Sequence, residues 1–298
     1  MRNIKSMIAT ILITVMIFGF SGCSKNTGET MIRETGETPA ASVESTTAAH
    51  TAANAFEGQV VEAGSVVTLG KYNRGHETGN TSIEWIVLKV DGDKALLISK
   101  SVIDAMPYNN DPYTADNGEV TWENCTLRAW LNNDFYNRAF TDEERAVILT
   151  VTLENPDNNA FGTEGGADTE DKVFILSVAE INEYYGFQYN DEDNGIGYNQ
   201  KLISSPVPEL VGGGKCIMWE MYKNYYEETY KAFGYSEDVI GMKGAEWWTR
   251  TPGVAGHADG MNSCTVVKVN EYGGVGEKYW RAVFDEKGGV RPVIWVHI

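Results

Sequence analysis

The chain has 298 residues, with 42 Asp and Glu against 24 Lys and Arg, a formal net charge of −18. That balance excludes the broad basic face that nucleic acid or an anionic membrane surface requires. With four His, four Cys, no Cys-x-x-Cys pair and no Cys/His spacing suited to zinc, it also argues against a metal centre built on those residues.

At the N-terminus, Arg2 and Lys5 form a short basic region, and Met7 to Phe20 carries no charge. The run falls short of the ~20 apolar residues that a membrane-crossing helix needs. It reads instead as the apolar part of a secretory signal. Phe20-Ser21-Gly22-Cys23 resembles the lipobox of bacterial lipoproteins, in which small residues precede an acylated cysteine; Phe20 stands where Leu is usual. The resemblance implies a signal peptide over residues 1–22, cleavage before Cys23, lipid on its thiol, and a membrane-anchored chain facing the extracytoplasmic side. Two or more acyl chains anchor stably, at about 0.8 kcal/mol per buried CH₂. Losing Arg2 and Lys5 with the signal leaves 22 basic and 42 acidic residues, and 22 − 42 = −20. Such a charge suits solubility or a cationic ligand.

Residues 23–55 form the next segment, dominated by Thr, Ala and Ser. In it Thr27-Gly28-Glu29-Thr30 recurs as Thr35-Gly36-Glu37-Thr38. Such a segment cannot bury enough apolar area to offset its chain entropy, so a disordered tether is expected. A coil of that length holds its cargo on the order of 30 Å away, from about 5–6 Å × √n. Residues 56–298 then read as a single globular domain with an insertion at 186–245. All eight Trp fall between Trp85 and Trp295.

In chain order the domain starts with strands: Val66–Leu69, then Ile83–Val90 and Lys94–Ser99 flanking Asp91-Gly92. That dipeptide predicts a tight hairpin with φ > 0 at both central positions. Leu127, Trp130, Leu131 and Phe135 make one apolar stripe, predicting a helix over Thr126–Phe140. Thr141-x-x-Glu144 and Ser177-x-x-Glu180 are capping boxes that open helices to Ile148 and to Tyr185, the second entered from a strand Val173–Leu176. Met218–Phe233 is a further helical stretch. Strands return at Cys264–Val269, Tyr279–Phe284 and Val293–His297. Strands at both ends with helices between them predict an α+β domain on an antiparallel sheet.

The motifs Trp85-Ile-Val-Leu88, Ala95-Leu-Leu-Ile-Ser-Lys100, Trp122-x-x-Cys-Thr-Leu-Arg128-x-Trp130-Leu-Asn132, Phe135-Tyr-Asn137, Asp171-Lys-Val-Phe-Ile-Leu-Ser177, Trp247-Trp248-x-Arg250-x-Pro252-Gly253 and Gly289-Val-Arg291-Pro292-x-x-Trp295 occur in one order. Over residues 65–297 the set resembles an uncharacterised bacterial secreted or surface domain family. That family in turn resembles C-type-lectin-like folds, including the formylglycine-generating-enzyme branch and variable receptor proteins. The resemblance implies helices packed on a small twisted antiparallel sheet, termini brought close together, and a loop-rich face for ligands.

Trp247, Trp248, Arg250 and Arg291 are the candidate ligand-binding residues, because aromatic faces with guanidinium groups stack on sugar rings or hold a carboxylate. The same residues would equally serve as internal pins, with Arg forks bonded to loop carbonyls. Adjacent strand residues face opposite sides, so one of Trp247 and Trp248 is expected in the core and the other exposed, while Trp295 is expected to be structural. Thr121-Trp-Glu-Asn-Cys125 has the Thr/Cys spacing of sortase nucleophile motifs, with His76 upstream. Cys125 precedes a helix stripe rather than ending a strand, which favours an inert thiol. Cys125, Cys216 and Cys264 permit at most one disulfide, and Cys216 with Cys264 lack the motif of a copper oxidase pair. Asn190-Asp-Glu-Asp-Asn-Gly195 fails as an EF-hand, since Asn190 and Lys201 stand where Asp and Glu are needed. A looser calcium site at Asp168-Thr-Glu-Asp171 stays open; otherwise no cofactor is implied.

The expectation for function is a surface-displayed lipoprotein with a non-catalytic domain for a glycan or protein ligand. Its partners would be the membrane, through Cys23, and that ligand, with no nucleic acid. The alternatives are an extracellular or cell-wall-acting enzyme using Cys125, and a solute-binding lipoprotein. The last would show repeated βαβ units in two lobes, which this pattern lacks.

Overall fold

The computed structural model describes residues 55–73, 81–186, 196–207, 210, 227–240, 242, 244–256, 263–276 and 280–298. They belong to the unit Ala40–Ile298 into which contacts divide the chain. The residues read as a secretory signal, Cys23, most of those read as a tether, His76, Asn190–Gly195 and Cys216 lie outside the described residues.

The chain enters through β1 (Val66–Lys71), β2 (Ser82–Asp91) and β3 (Lys94–Ser99), and ends in β13 (Val293–His297). These form one antiparallel sheet in the order β1-β2-β3-β13, so the first and last strands of the domain share a sheet. Alternation drives the pairing. In β2, Ile83, Trp85 and Val87 are buried while Ser82 and Glu84 are exposed, so one register alone puts the apolar set inside. The β2–β3 turn lies one residue later than the sequence suggests. Asp91 pairs with Lys94, leaving Gly92-Asp93 as the loop. Gly92 has φ +62° and Asp93 stays out of the left-handed region, the pattern of a turn with Gly at its first central position.

A second sheet runs β11-β9-β8-β12-β4, from β4 (Asp104–Ala105), β8 (Trp247–Pro252), β9 (Thr265–Val269), β11 (Trp280–Ala282) and β12 (Gly289–Val290). Its pairs are antiparallel except β12 with β8. Two small ribbons join β5 (Val151–Leu153) to β6 (Thr169–Asp171) and β7 (Gly197–Tyr198) to β10 (Gly274–Val275). The architecture is therefore mixed α+β on antiparallel sheets.

The helical run after Cys125 is broken into α1 (Thr126–Trp130), a π turn (Leu131–Phe135) and α2 (Tyr136–Ala139). The predicted apolar stripe does face inward: Leu127, Leu131 and Phe135 are buried. Asn132 occupies the π turn, and its amide bonds Arg128 O, Val173 O and the Asp171 carboxylate. Wider turns of this kind are often found where a side chain is put to special use. Both capping boxes form, at Thr141/Glu144 opening α3 (Asp142–Val147) and at Ser177/Glu180 opening α4 (Val178–Tyr185). Residues 173–176 make no strand; Phe174 alone forms a bridge, to Val293. Residues 227–232 are helical and Phe233 lies in a turn, residues 218–226 of the Met218–Phe233 stretch lying outside the described residues, and α5 (Glu237–Ile240) follows.

One contiguous core joins both sheets and the helices, from Phe56 through Trp85, Leu96, Leu131, Phe135 and Trp248 to Val296. A smaller cluster of Ile203, Tyr230 and Ile240 sits under the 196–245 region.

Candidate functional site

The Trp/Arg residues proposed as a ligand platform are inside the domain. Trp247 and Trp248 are both 0% exposed, correcting the expectation that one faces solvent. β8 is an interior strand between β9 and β12 and is buried along its whole length, so opposite faces both meet protein. The Trp248 indole donates to Met106 O at 2.9 Å, and Gly288 packs flat against it. A Cβ at Gly288 would fall 1.8 Å from that ring, which makes this glycine obligatory. The Trp247 indole donates to Leu202 O at 3.1 Å. Arg250 donates to Ile175 O, to Glu154 O and, from both terminal nitrogens, to the Glu180 carboxylate. Arg291 donates to Ser99 O and lies over the Trp247 ring. A stacking platform needs an open ring face, and these rings have none. Trp295 is half-buried against the core.

A second internal node went unread in the sequence. Asp171, fully buried, accepts from the Trp122 indole at 3.0 Å, the Arg128 Nε at 2.7 Å, the Asn132 amide and the Thr169 hydroxyl. The order Trp122…Arg128…Asn132…Asp171 carried that signal, since all four belong to the quoted motifs. Asp168 and Glu170 are exposed while Asp171 turns inward, so the acidic stretch does not gather its carboxylates at one point. Among the described residues no group of three His, Cys, Asp or Glu is placed to hold a metal ion.

Neither described thiol is activated. Cys125 is 3% exposed, and burial pushes its pKa up to about 12 despite the neighbouring Arg128. Burial, with the Glu119 carboxylate 3.1 Å away, pushes Cys264 up to about 11.

An open feature among the described residues lies elsewhere. A cavity of about 730 Å³ is lined by β11 and the turn after it: Trp280, Arg281, Ala282, Phe284, Asp285, Glu286 and Lys287. β11 is an edge strand of the five-stranded sheet. Phe284 is 46% exposed, and Trp280 is half-buried. Asp285 shapes the turn: its amide donates to Ala282 O, its carboxylate accepts from Lys287 N at 2.9 Å, and its carbonyl accepts from Gly288 N. Arg281 reaches Glu246 at 3.5 Å and Asp285 at 3.6 Å. Behind it, Lys268 is buried and ion-paired with Glu246. Burial raises Glu246, but Lys268 and Arg281 outweigh that and hold its carboxyl below the usual range. Burial and the Glu246 charge push Glu271 up. The wall thus combines aromatic rings with fixed charges of both signs. The sequence held a clue, because Trp280, Ala282 and Phe284 share one face of the predicted strand Tyr279–Phe284.

These features define a mixed α+β domain with a densely pinned polar interior and an aromatic, charge-lined cavity at a sheet edge. The chain belongs to a family described as a domain of unknown function, DUF6273, whose model matches residues 92–298. The match starts in the β2–β3 turn, so β1 and β2 precede it although they complete the first sheet. No curated protein and no solved structure matches the chain.

Proposed function

We propose that the chain is a surface-displayed lipoprotein, anchored through Cys23, whose C-type-lectin-like domain binds a glycan or protein ligand without catalysis at the Trp280–Lys287 cavity. The observation that carries this reading is the cavity itself, which puts an exposed phenyl ring, a half-buried indole and charges of both signs around about 730 Å³. Ligand pockets are commonly of this size, largely apolar with a few placed polar groups. Aromatic bodies supply contact area at low entropic cost. Support for a lectin-like fold comes from the first and last strands sharing one sheet and from the helical run packed on it, where Phe140 stacks on Trp85 at 6.2 Å. The enzyme reading through Cys125 is opposed by a thiol held at about 12, which stays protonated at neutral pH.

The test is a screen of the mature, unlipidated chain against glycans, peptidoglycan fragments and host proteins, repeated with Phe284→Ala and Trp280→Ala. Binding is expected to fall in both variants. Phe284→Ala should lower the melting temperature only slightly, because that residue is 46% exposed and lies outside the core. Undiminished binding in both variants would place the ligand elsewhere, and turnover of a bound compound would refute the non-catalytic reading.

A further inference from the structure

Of the buried cations among the described residues, Arg250 faces Glu180 and Lys268 faces Glu246. Arg291, 1% exposed, faces no carboxylate among the described residues. Its Nε donates to Ser99 O at 2.8 Å, and its guanidinium lies 5.2 Å from the centre of the Trp247 ring. Its Nη1 meets no acceptor. The Tyr185 hydroxyl adjoins the same guanidinium, equally buried and equally without a partner. Closing these two groups onto one another would still leave the hydroxyl proton without an acceptor and the charge without a counter-ion. A carbonyl and a π face offset part of the cost of burying a cation. Neither carries a negative charge. Arg250 and Lys268 show that this chain otherwise supplies one.

The site lies where three elements meet: the end of α4 at Tyr185, the link between β12 and β13 at Arg291, and the start of β8 at Trp247. Two convergent donors with a net positive charge select an anion over a neutral molecule, and the tight burial selects a small one. We propose that Arg291 Nη1 and the Tyr185 hydroxyl hold a small monovalent anion, of halide or formate size, as an internal ligand that ties α4 to the sheets. A ligand that binds the folded state alone stabilises it in proportion to the logarithm of its concentration above Kd.

The experiment melts the full-length chain in mixtures of sodium gluconate with chloride, bromide or formate at constant ionic strength. The expected result is a rise in melting temperature with the small anions over gluconate, a bulky carboxylate, that grows with the logarithm of concentration above Kd. A response to halides without formate assigns a halide, and the reverse assigns a carboxylate. Arg291→Met should abolish the response. Tyr185→Phe keeps the ring and removes only the hydroxyl, so the rise should set in at about tenfold higher concentration, the loss of one hydrogen bond to a charged group. Crystals grown in bromide should show an anomalous peak within hydrogen-bond distance of Arg291 Nη1. If Arg291→Met fails to fold, Tyr185→Phe and the bromide map decide. Equal melting in gluconate and in every small anion, or a water molecule in place of the anomalous peak, would overturn the proposal.

Discussion

The Cys125 thiol accepts from the Arg128 amide at 3.4 Å and so caps α1, while donating toward Trp122 O. This gives the residue a structural use where its sequence neighbourhood raised the question of a nucleophile. Burial raises its pKa from 9.0 to about 12, which fixes the sign of a pH effect. The unfolded chain loses this proton near pH 9 and the folded chain keeps it, so the contribution is fully present below pH 9 and is lost as pH rises toward 12. One unit above the unfolded value the loss is about 1.4 kcal/mol. Tyr108 beside it is also pushed up by burial, so the expected readout is a difference. Stability of Cys125→Ala should fall less steeply between pH 8 and 10 (roughly the rise of the unfolded-state thiolate) than that of the parent. Parallel slopes would mean the thiol titrates normally when folded. In the parent at neutral pH, a thiol reagent should label Cys125 only as fast as the domain opens.

At the scale of elements, Glu180 joins two roles that the sequence separates. Its carboxylate closes the capping box by accepting from Ser177 N at 2.8 Å, and it also holds Arg250, the cation that reaches across from β8. Ser177→Ala removes a cap and should cost about 1 kcal/mol. Glu180→Ala also strands a buried guanidinium and should cost about 3–5 kcal/mol. Glu180→Gln keeps a capping residue and loses the charge, so urea melts should place it between the two. Equal costs for Ser177→Ala and Glu180→Ala would mean Arg250 gains nothing from the carboxylate. The capping box was readable because its partners lie three residues apart. The Arg250 pairing was not, since its groups are 70 residues apart and only the fold brings them together. The same division runs through the molecule. The hairpin dipeptide, strand alternation and the capping boxes, all local patterns, located β2, β3, β13, α3 and α4. The strand order β11-β9-β8-β12-β4 was not readable, and with it went the burial of both faces of β8. That is why Trp247 and Trp248 looked like one core residue and one surface residue. The π turn at Leu131–Phe135 was invisible for a related reason, as its register answers to Asp171 and Val173 through Asn132.

For the whole molecule, the point at which folded structure begins can be argued from side chains. Phe56 is 6% exposed and belongs to the main core, and Ala55 packs against that core. Gln59 then ties the segment to β1, accepting from Thr68 N at 2.6 Å and donating to Thr68 O at 3.1 Å. Residues 55–59 are therefore part of the domain, which begins one residue before the boundary that the sequence suggests. Residues 24–54 hold almost no large apolar side chains, so they have little area to bury. A chain starting at Ala55 is expected to melt at the same temperature as one starting at Ser24. A chain starting at Val61 loses Phe56 and the Gln59 bonds. Phe56 alone should cost about 3–5 kcal/mol, the usual range for a buried Phe→Ala. Domains are stable by only about 5–15 kcal/mol, so that drop should be plain in calorimetry. A lower melting temperature already at Ala55 would mean the tether packs on the domain and is no passive spacer. In cells, Cys23→Ala with an intact tether should release the chain from the membrane fraction while leaving its melting temperature unchanged. Retention of that variant would remove the lipid anchor from the proposed function without touching the ligand site.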